Sequence, residues 1–546
     1  CVTNSDTGSY GFIDNYGTLN IESGNFIDIA SGDGATVKNR PGGTLNISGG
    51  YFEGVSTADQ TTGNTRVASD GTLNISGGSF YTKASRNPSI KVISGTAYIS
   101  DADIQTQRGV GIEVNEATAT LDRNQISVLE SNSYYASAVA ACYGGSVDIN
   151  SGSYDSAGYG VYIFSSGGTL VVKDGEISGG DGAVRADVDS SSYPSAKALV
   201  RVEGGSTKGP WSTNGNPEAD LIVSGGVHSE DITSYLEKGF EAEKTDSGFA
   251  VKEIPAVQVG SNSYGTLERA LAAAVAGDSL KLLQDLTIDT AVTIDKNITL
   301  DLNGHGVTGG IAGALINIAS GANVSITDTS GSPGRIYNGG AATSRAVQME
   351  EGAALTLNGG ITLETGTTTS IARSCTPLYI TASDANPANV NIINANLVSP
   401  SDYAIRLSKS QNAIISIQGG SFSAPSKADN VSCIYNGSAA QVSISGGSFT
   451  NWAANDGSLV SSASIILVYD DRVCVQAAAP DSYTARLEGL NCYLTGSELY
   501  SLTQRWDLNG NTLSVRGALS CSYPSGKYFG NVNGSALSTT IELESG

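Results

Sequence analysis

The chain of 546 residues carries 30 Lys+Arg against 53 Asp+Glu, a net charge of −23, which argues against nucleic acid and anionic membrane surfaces as partners. Two His leave little for metal ligation or acid–base work, and seven scattered Cys with no CxxC pair argue against a zinc site. No apolar run approaches the ~18 residues of a membrane span, so no membrane insertion is expected, and 68 Gly suit many tight turns.

The chain begins at Cys1 without Met or signal peptide and reads as a processed, clipped or partial polypeptide. Its first element recurs. Gly17-Thr-Leu-Asn-Ile-Glu-Ser-Gly-Asn-Phe26, Gly43-Thr-Leu-Asn-Ile-Ser-Gly-Gly-Tyr-Phe52 and Gly71-Thr-Leu-Asn-Ile-Ser-Gly-Gly-Ser-Phe80 start 26 and 28 residues apart. Leu45 and Ile47 share one strand face, and Thr44 and Asn46 share the other. The Gly-rich turn then places Phe26, Phe52 and Phe80, with Tyr154 equivalent, at the head of the next strand on the apolar side. A unit that recurs at this period and cannot bury its own apolar face stacks on its neighbours. About nine such strands fit between Gly17 and Val223, a rod on the order of 40 Å at ~4.8 Å per coil. A second strand type reads small, apolar, any, apolar, as in Gly160-Val161-Tyr162-Ile163 and Ala183-Val184-Arg185-Ala186. Loops across Ser56–Ser69 and Asp187–Lys197 vary in length and are the expected binding surfaces.

The repeat stops at residues 227–253, a charged stretch read as a cap with a hairpin turning through Asp246-Ser247-Gly248. Thr266 then N-caps an expected helix over 266–276, with Leu267, Ala270, Leu271, Ala274 and Val275 on one stripe and Gly277 ending it. It is read as the lid of a second solenoid whose rings include Phe422 and Phe449. After about Ser461 the pattern fades into a β-rich region holding Cys474, Cys492 and Cys521, with room for one disulfide. The expected fold is all-β: two tandem parallel β-helix (β-solenoid) domains, 1–253 and 254–460, with capping elements and a β-rich C-terminal region, 461–546.

The segment Ala256–Thr287 and the following Ile298-Thr-Leu-Asp-Leu-Asn-Gly-His-Gly-Val-Thr308 resemble the opening of pectate-lyase-like β-helix repeat modules. These occur in large surface proteins of gut anaerobes, mostly Gram-positive. Gly225–Val251 resembles the segment that closes such modules, and the resemblance covers most of residues 1–450. It implies a part of an adhesin or stalk, and gives no specific activity. No LPxTG-like sorting motif occurs, so this stretch does not support wall anchorage.

The scaffold also hosts polysaccharide lyases and hydrolases, so carboxylate clusters matter. Gly304-His305-Gly306 resembles the polygalacturonase motif. Its partners are wrong: no Asn-Thr-Asp exists, Asp470-Asp471 follow rather than precede the His, and Gly334-Arg335-Ile336-Tyr337 is a partial echo of the later Arg-Ile-Lys. His305 is expected in a turn without two or three carboxylates around it. A Ca²⁺-dependent lyase needs clustered Asp with a basic partner. Asp101/Asp103 and Asp187/Asp189 are same-face pairs that read as solvated turns. Asn20, Asn46, Asn74 and Asp148 read as an outward polar ladder. The threonines are too irregular for an ice-binding array. No catalytic, cofactor-binding or metal residue is assigned and no cofactor is expected. Structural Ca²⁺ has neither an EF-hand nor a GGxGxDxUx repeat behind it. The expected function is an extracellular, bacterial cell-surface, non-enzymatic adhesin, stalk or fibre component. Its partners would be host or microbial glycans, surface proteins, or itself. The alternatives are a carbohydrate-active enzyme and a self-assembling filament subunit.

Overall fold

The structure is a computed structural model. It describes residues 12–28, 34–60, 65–85, 87–131, 135–340, 343–367, 375–381, 386–407, 413–425, 433–435, 441–450, 459–461, 463–469 and 472–477. It also describes the short strands Val2–Asn4, Ala485–Leu487, Asn491–Thr495, Arg505–Asp507, Thr512–Arg516, Tyr528–Gly530 and Ile541–Glu544. The fold is a parallel β-solenoid of about 15 turns, all-β with almost no helix. The chain divides into two compact units, Cys1–Ile254 and Pro255–Gly546.

In the first unit each coil contributes one strand to each of three sheets. The TLNI strands, from Thr18–Ile21 to Ala219–Val223, form a nine-stranded sheet, here the asparagine face. Strands such as Ser79–Ser85 and Gly152–Ser156 form the aromatic face, and Ser137–Cys142, Tyr159–Ile163 and Gly182–Ala186 belong to the small-residue face. Register is strict. Leu45 aligns with Leu73 and Ile47 with Ile75, so one apolar residue sits above another through the core. The rings stack as well: Phe26 on Phe52 at 4.7 Å and Phe52 on Phe80 at 4.8 Å, within 8° of parallel. Phe52 and Phe80 are buried, whereas Phe26 is half-exposed. The expectation that all three rings are buried therefore fails at Phe26. Its outer neighbour in the sheet is only the short strand Val2–Asn4. Tyr154 occupies the same slot but stacks between Ile126 and Ile177.

The amide ladder is real over three coils. Asn46 donates to Asn20 at 2.7 Å and Asn74 to Asn46 at 2.8 Å. It does not reach Asp148, because Tyr98 and Thr120 take the intervening positions; Asp148 instead accepts from Lys173 at 2.8 Å. At the far edge of the aromatic face the chain reverses. Phe240–Thr245 and Gly248–Glu253 form an antiparallel hairpin that pairs onto Val227–His228.

In the second unit the helix Leu267–Ala273 has Thr266 as N-cap, whose side chain accepts from Arg269 N at 3.2 Å. Leu267, Ala270, Leu271 and Ala274 are buried, but Val275 is 65% exposed. The helix stops earlier than its spacing suggests, since Ala274 is already extended. Lys296 Nζ donates to the carbonyls of Leu271 and Ala274 and satisfies the last turn. Three sheets follow, built from strands such as Asn323–Thr327, Arg335–Asn338 and Ser344–Met349. Beyond Gly447–Phe449, Val473–Ala477 pairs antiparallel with both that strand and Ser464–Val468. Parallel pairing then resumes among the terminal strands. Cys142, Cys375, Cys433 and Cys474 are free thiols. Cys474 is thus no part of a bridge, and the side chains of Cys492 and Cys521 lie outside the described residues.

Candidate functional site

The residues with hydrolase-like spacing are engaged in turn building. His305 follows Asn303 and Gly304, both at positive φ, in a tight turn closed by its own N–H on Leu302 O at 2.8 Å. Its Nδ1 lies 3.5 Å from Oδ1 of the exposed Asp285, which accepts the Gly306 N–H at 2.8 Å. Asp301 accepts the N–H groups of Asn303 and Thr329 and the Thr329 hydroxyl. Asp328 Oδ2 accepts the N–H groups of Gly304 and Gly334, each at 2.8 Å, and its Oδ1 accepts from Ser330. Burial opposes ionisation of Asp328, but these hydrogen bonds outweigh it and hold the carboxyl below its usual range. These aspartates knit successive coils together through their backbone. Arg335 pairs with Glu364 at 3.2 Å over the ring of Tyr337, and Asp470 and Asp471 lie outside the described residues.

The other acidic pairs are split. Asp101 is held by a two-pronged contact from Arg123, while Asp103 lines a shallow depression with Tyr51, Tyr81 and Gln105. Asp187 pairs with Arg185 at 3.0 Å. Asp189 caps a turn, accepting from Ser191 and Ser192, which lowers it to about 2. Among the described residues no group of three or more His, Cys, Asp or Glu is placed to hold a metal ion.

A different arrangement appears on the outside of the small-residue face of the first unit. Ala140, Tyr162, Arg185 and Ser212 occupy one outward column on successive strands. Aromatic rings fill the neighbourhood of this column. Tyr135 meets Phe164 at 4.8 Å, Phe164 meets Tyr162 at 5.2 Å, and Tyr162 meets Tyr159 at 5.0 Å. The Arg185 guanidinium lies over both Tyr159 and Tyr162, at 5.0 and 5.4 Å, and donates to the Tyr159 hydroxyl. Tyr162 is buried beneath this layer, and burial pushes its hydroxyl up to about 12. Tyr159 and Phe164 stay half-exposed and Tyr135 is exposed. Beside them Tyr193, from the loop after Asp187, meets Tyr143 edge-on at 6.1 Å. Such a strip presents the accessible parts of Tyr135, Phe164 and Tyr159, with the Arg185 guanidinium lying over the Tyr159 and Tyr162 rings. The sequence reading missed it because Tyr162 and Arg185 fell in the position treated as unrestricted. The available signal was an aromatic residue in that position followed by Arg one coil later.

No family model, curated protein or solved structure matches the chain. The fold defines the class, a parallel β-solenoid repeat protein, and that scaffold serves many unrelated functions.

Proposed function

We propose that the protein is an extracellular, non-enzymatic surface scaffold of the adhesin, stalk or fibre kind, whose first unit binds glycans along the small-residue face. The observation that carries this reading is the strip of Tyr135, Phe164, Tyr162 and Tyr159 with Arg185 across it. The accessible rings of Tyr135, Phe164 and Tyr159 lie outside the core, over and beside the sheet, and suit stacking against the faces of sugar rings. The resemblance of most of residues 1–450 to β-helix modules of bacterial surface proteins supports the same setting. In this reading the two units are tandem solenoid domains. In the same reading the hairpin Phe240–Glu253, which pairs onto Val227–His228, and the helix Leu267–Ala273 act as caps against recruitment of another chain.

The test is binding to mucin-type and plant neutral glycans, with product release measured in parallel, with and without Ca²⁺. Retention that falls at least fivefold in Tyr159→Ala, without turnover, is expected. Release of reducing ends or unsaturated products that vanishes in His305→Ala would overturn the reading in favour of an enzyme.

A further inference from the structure

The small-residue face of the second unit has a different electrostatic character. In the first unit the outward guanidinium is cancelled: Arg185 sits 3.0 Å from Asp187. Arg40, Arg123, Arg201, Arg335 and Arg406 likewise reach a carboxylate within 3.2 Å. Arg345 has none among the described residues. It stacks on Tyr379, 3.8 Å from the ring centroid, and its Nη1 donates to Gln348. The edge formed by Nε and Nη2 carries no hydrogen-bond partner among the described residues.

A second observation falls on the same face. Seven buried side-chain polar atoms lack a partner among the described residues, and four of them are here: Asn317 Oδ1, Ser344 Oγ, Arg345 Nε and Asp402 Oδ1. Unmet polar groups are costly in a protein interior, and such a cluster calls for a bound water, ion or ligand: Ser344 Oγ and Arg345 Nε lack an acceptor, and Asn317 Oδ1 and Asp402 Oδ1 lack a donor. The register brings the outward residues together. Asn317, Gln348, Tyr379 and Arg406 align on consecutive strands of this sheet. Nearby carboxylates are already engaged. Asp402 accepts from Arg406 at 2.9 Å and Thr376 at 3.0 Å, and Glu350 accepts from Asn317 at 2.8 Å.

We propose that this face binds an oxyanion carried on a saccharide, a carboxylated or sulfated sugar, with the anion on the unpartnered edge of Arg345 and the sugar beside Tyr379. The proposal rests on the glycan-binding reading above but uses a separate site in the other unit. A planar guanidinium accepts two oxygens of one anion in parallel, a geometry that Lys does not reproduce. Burial and the neighbouring Arg406 both lower the Arg345 pKa, and a bound anion reverses that effect. The chain as a whole carries −23, so bulk charge opposes anion binding and any affinity must come from a local site.

The experiment compares the full chain on dextran, dextran sulfate, hyaluronate and inorganic sulfate by calorimetry. Expected is binding to dextran sulfate or hyaluronate, none to dextran at this site, and at least tenfold weaker affinity in Arg345→Gln. Arg345→Lys should keep the charge and lose most of the affinity, while the surface variant Arg335→Gln changes it less than twofold. Circular dichroism and melting of each variant establish that it is folded. Absence of binding to both anionic polymers overturns the proposal, as do equal losses in Arg345→Gln and Arg335→Gln. Inorganic sulfate binding as tightly as the polymer overturns its saccharide part. Failure of neutral glycans to bind at Tyr159 bears on the first unit alone, so the two readings fail separately.

Discussion

Each unit has an interior column of its own, and the two are filled in different ways. In the first unit the column runs Phe26, Phe52, Phe80, Ile104, Ile126, Tyr154, Ile177, Thr207 and His228. In the second it runs Leu286, Val307, Ile336, Leu363, Leu397, Phe422 and Phe449. Wherever a ring occupies the column, a glycine at positive φ stands two residues before it: Gly24, Gly50, Gly78, Gly152, Gly420 and Gly447. A Cβ at Gly50 would meet the Phe52 ring at 3.4 Å and Gly24 O at 3.2 Å. Turn and ring are one device. The turn before the ring takes a positive φ and passes close to the carbonyl of the coil below, and both favour a residue without Cβ. Aliphatic positions do not require it, as Ala102 before Ile104 and Asn124 before Ile126 illustrate, although Gly175 and Gly205 at positive φ also precede Ile177 and Thr207.

The largest effect expected from this comparison is at Phe52. It is fully buried and stacked on both faces, so Phe52→Ala should cost about 3–5 kcal/mol in denaturant unfolding of the first unit. The same change at half-exposed Phe26 should cost less than half as much. Equal costs would show that neither the fuller burial of Phe52 nor its second stacking contact contributes.

Gly50→Ala comes next, at about 1–3 kcal/mol, from strained φ together with the close carbonyl. Gly42 is the control. Its φ is also positive, but a Cβ there meets nothing within 4 Å, so Gly42→Ala should cost only the backbone part, about 1 kcal/mol. Similar losses at both positions would remove the steric half of the argument.

The smallest effect is pH-dependent. His228 closes the parallel part of the column. Its Nε2 is 2.9 Å from Gly225 O and its Nδ1 is 2.9 Å from the Thr207 hydroxyl, which accepts from Trp211 Nε1. Burial lowers its pKa, with the Gly225 contact opposing. A histidine that binds its proton more weakly when folded contributes stability above the unfolded value of ~6.5 and loses it as pH falls through the folded value. The melting temperature of the first unit should therefore drop between pH 7 and pH 5. His228→Gln should flatten that slope, and an unchanged slope would refute the assignment.

These columns mark the boundary of what the sequence makes legible. Leu45, Ile47 and Phe52 recur with one spacing because coil stacking repeats one environment, so coils, faces and ring slots can be read directly. The end of the helix was less legible, because Lys296 reaches its carbonyls from 22 and 25 residues away. The aromatic strip and Arg345 were not read at all. Outward positions are free to vary from coil to coil, and their meaning arises only when Tyr162 lies beside Arg185, or Tyr379 beside Arg345, across strands.

The amide ladder Asn20–Asn46–Asn74 joins residues only 26 and 28 positions apart, a small separation in a chain of 546 residues. Each coil needs only the one made just before it as a template. During synthesis the chain can zip up as it leaves the ribosome, one turn at a time, without waiting for distant segments. The hairpin Phe240–Glu253 emerges after every other strand of the sheet it extends, so the antiparallel end of that sheet is added last.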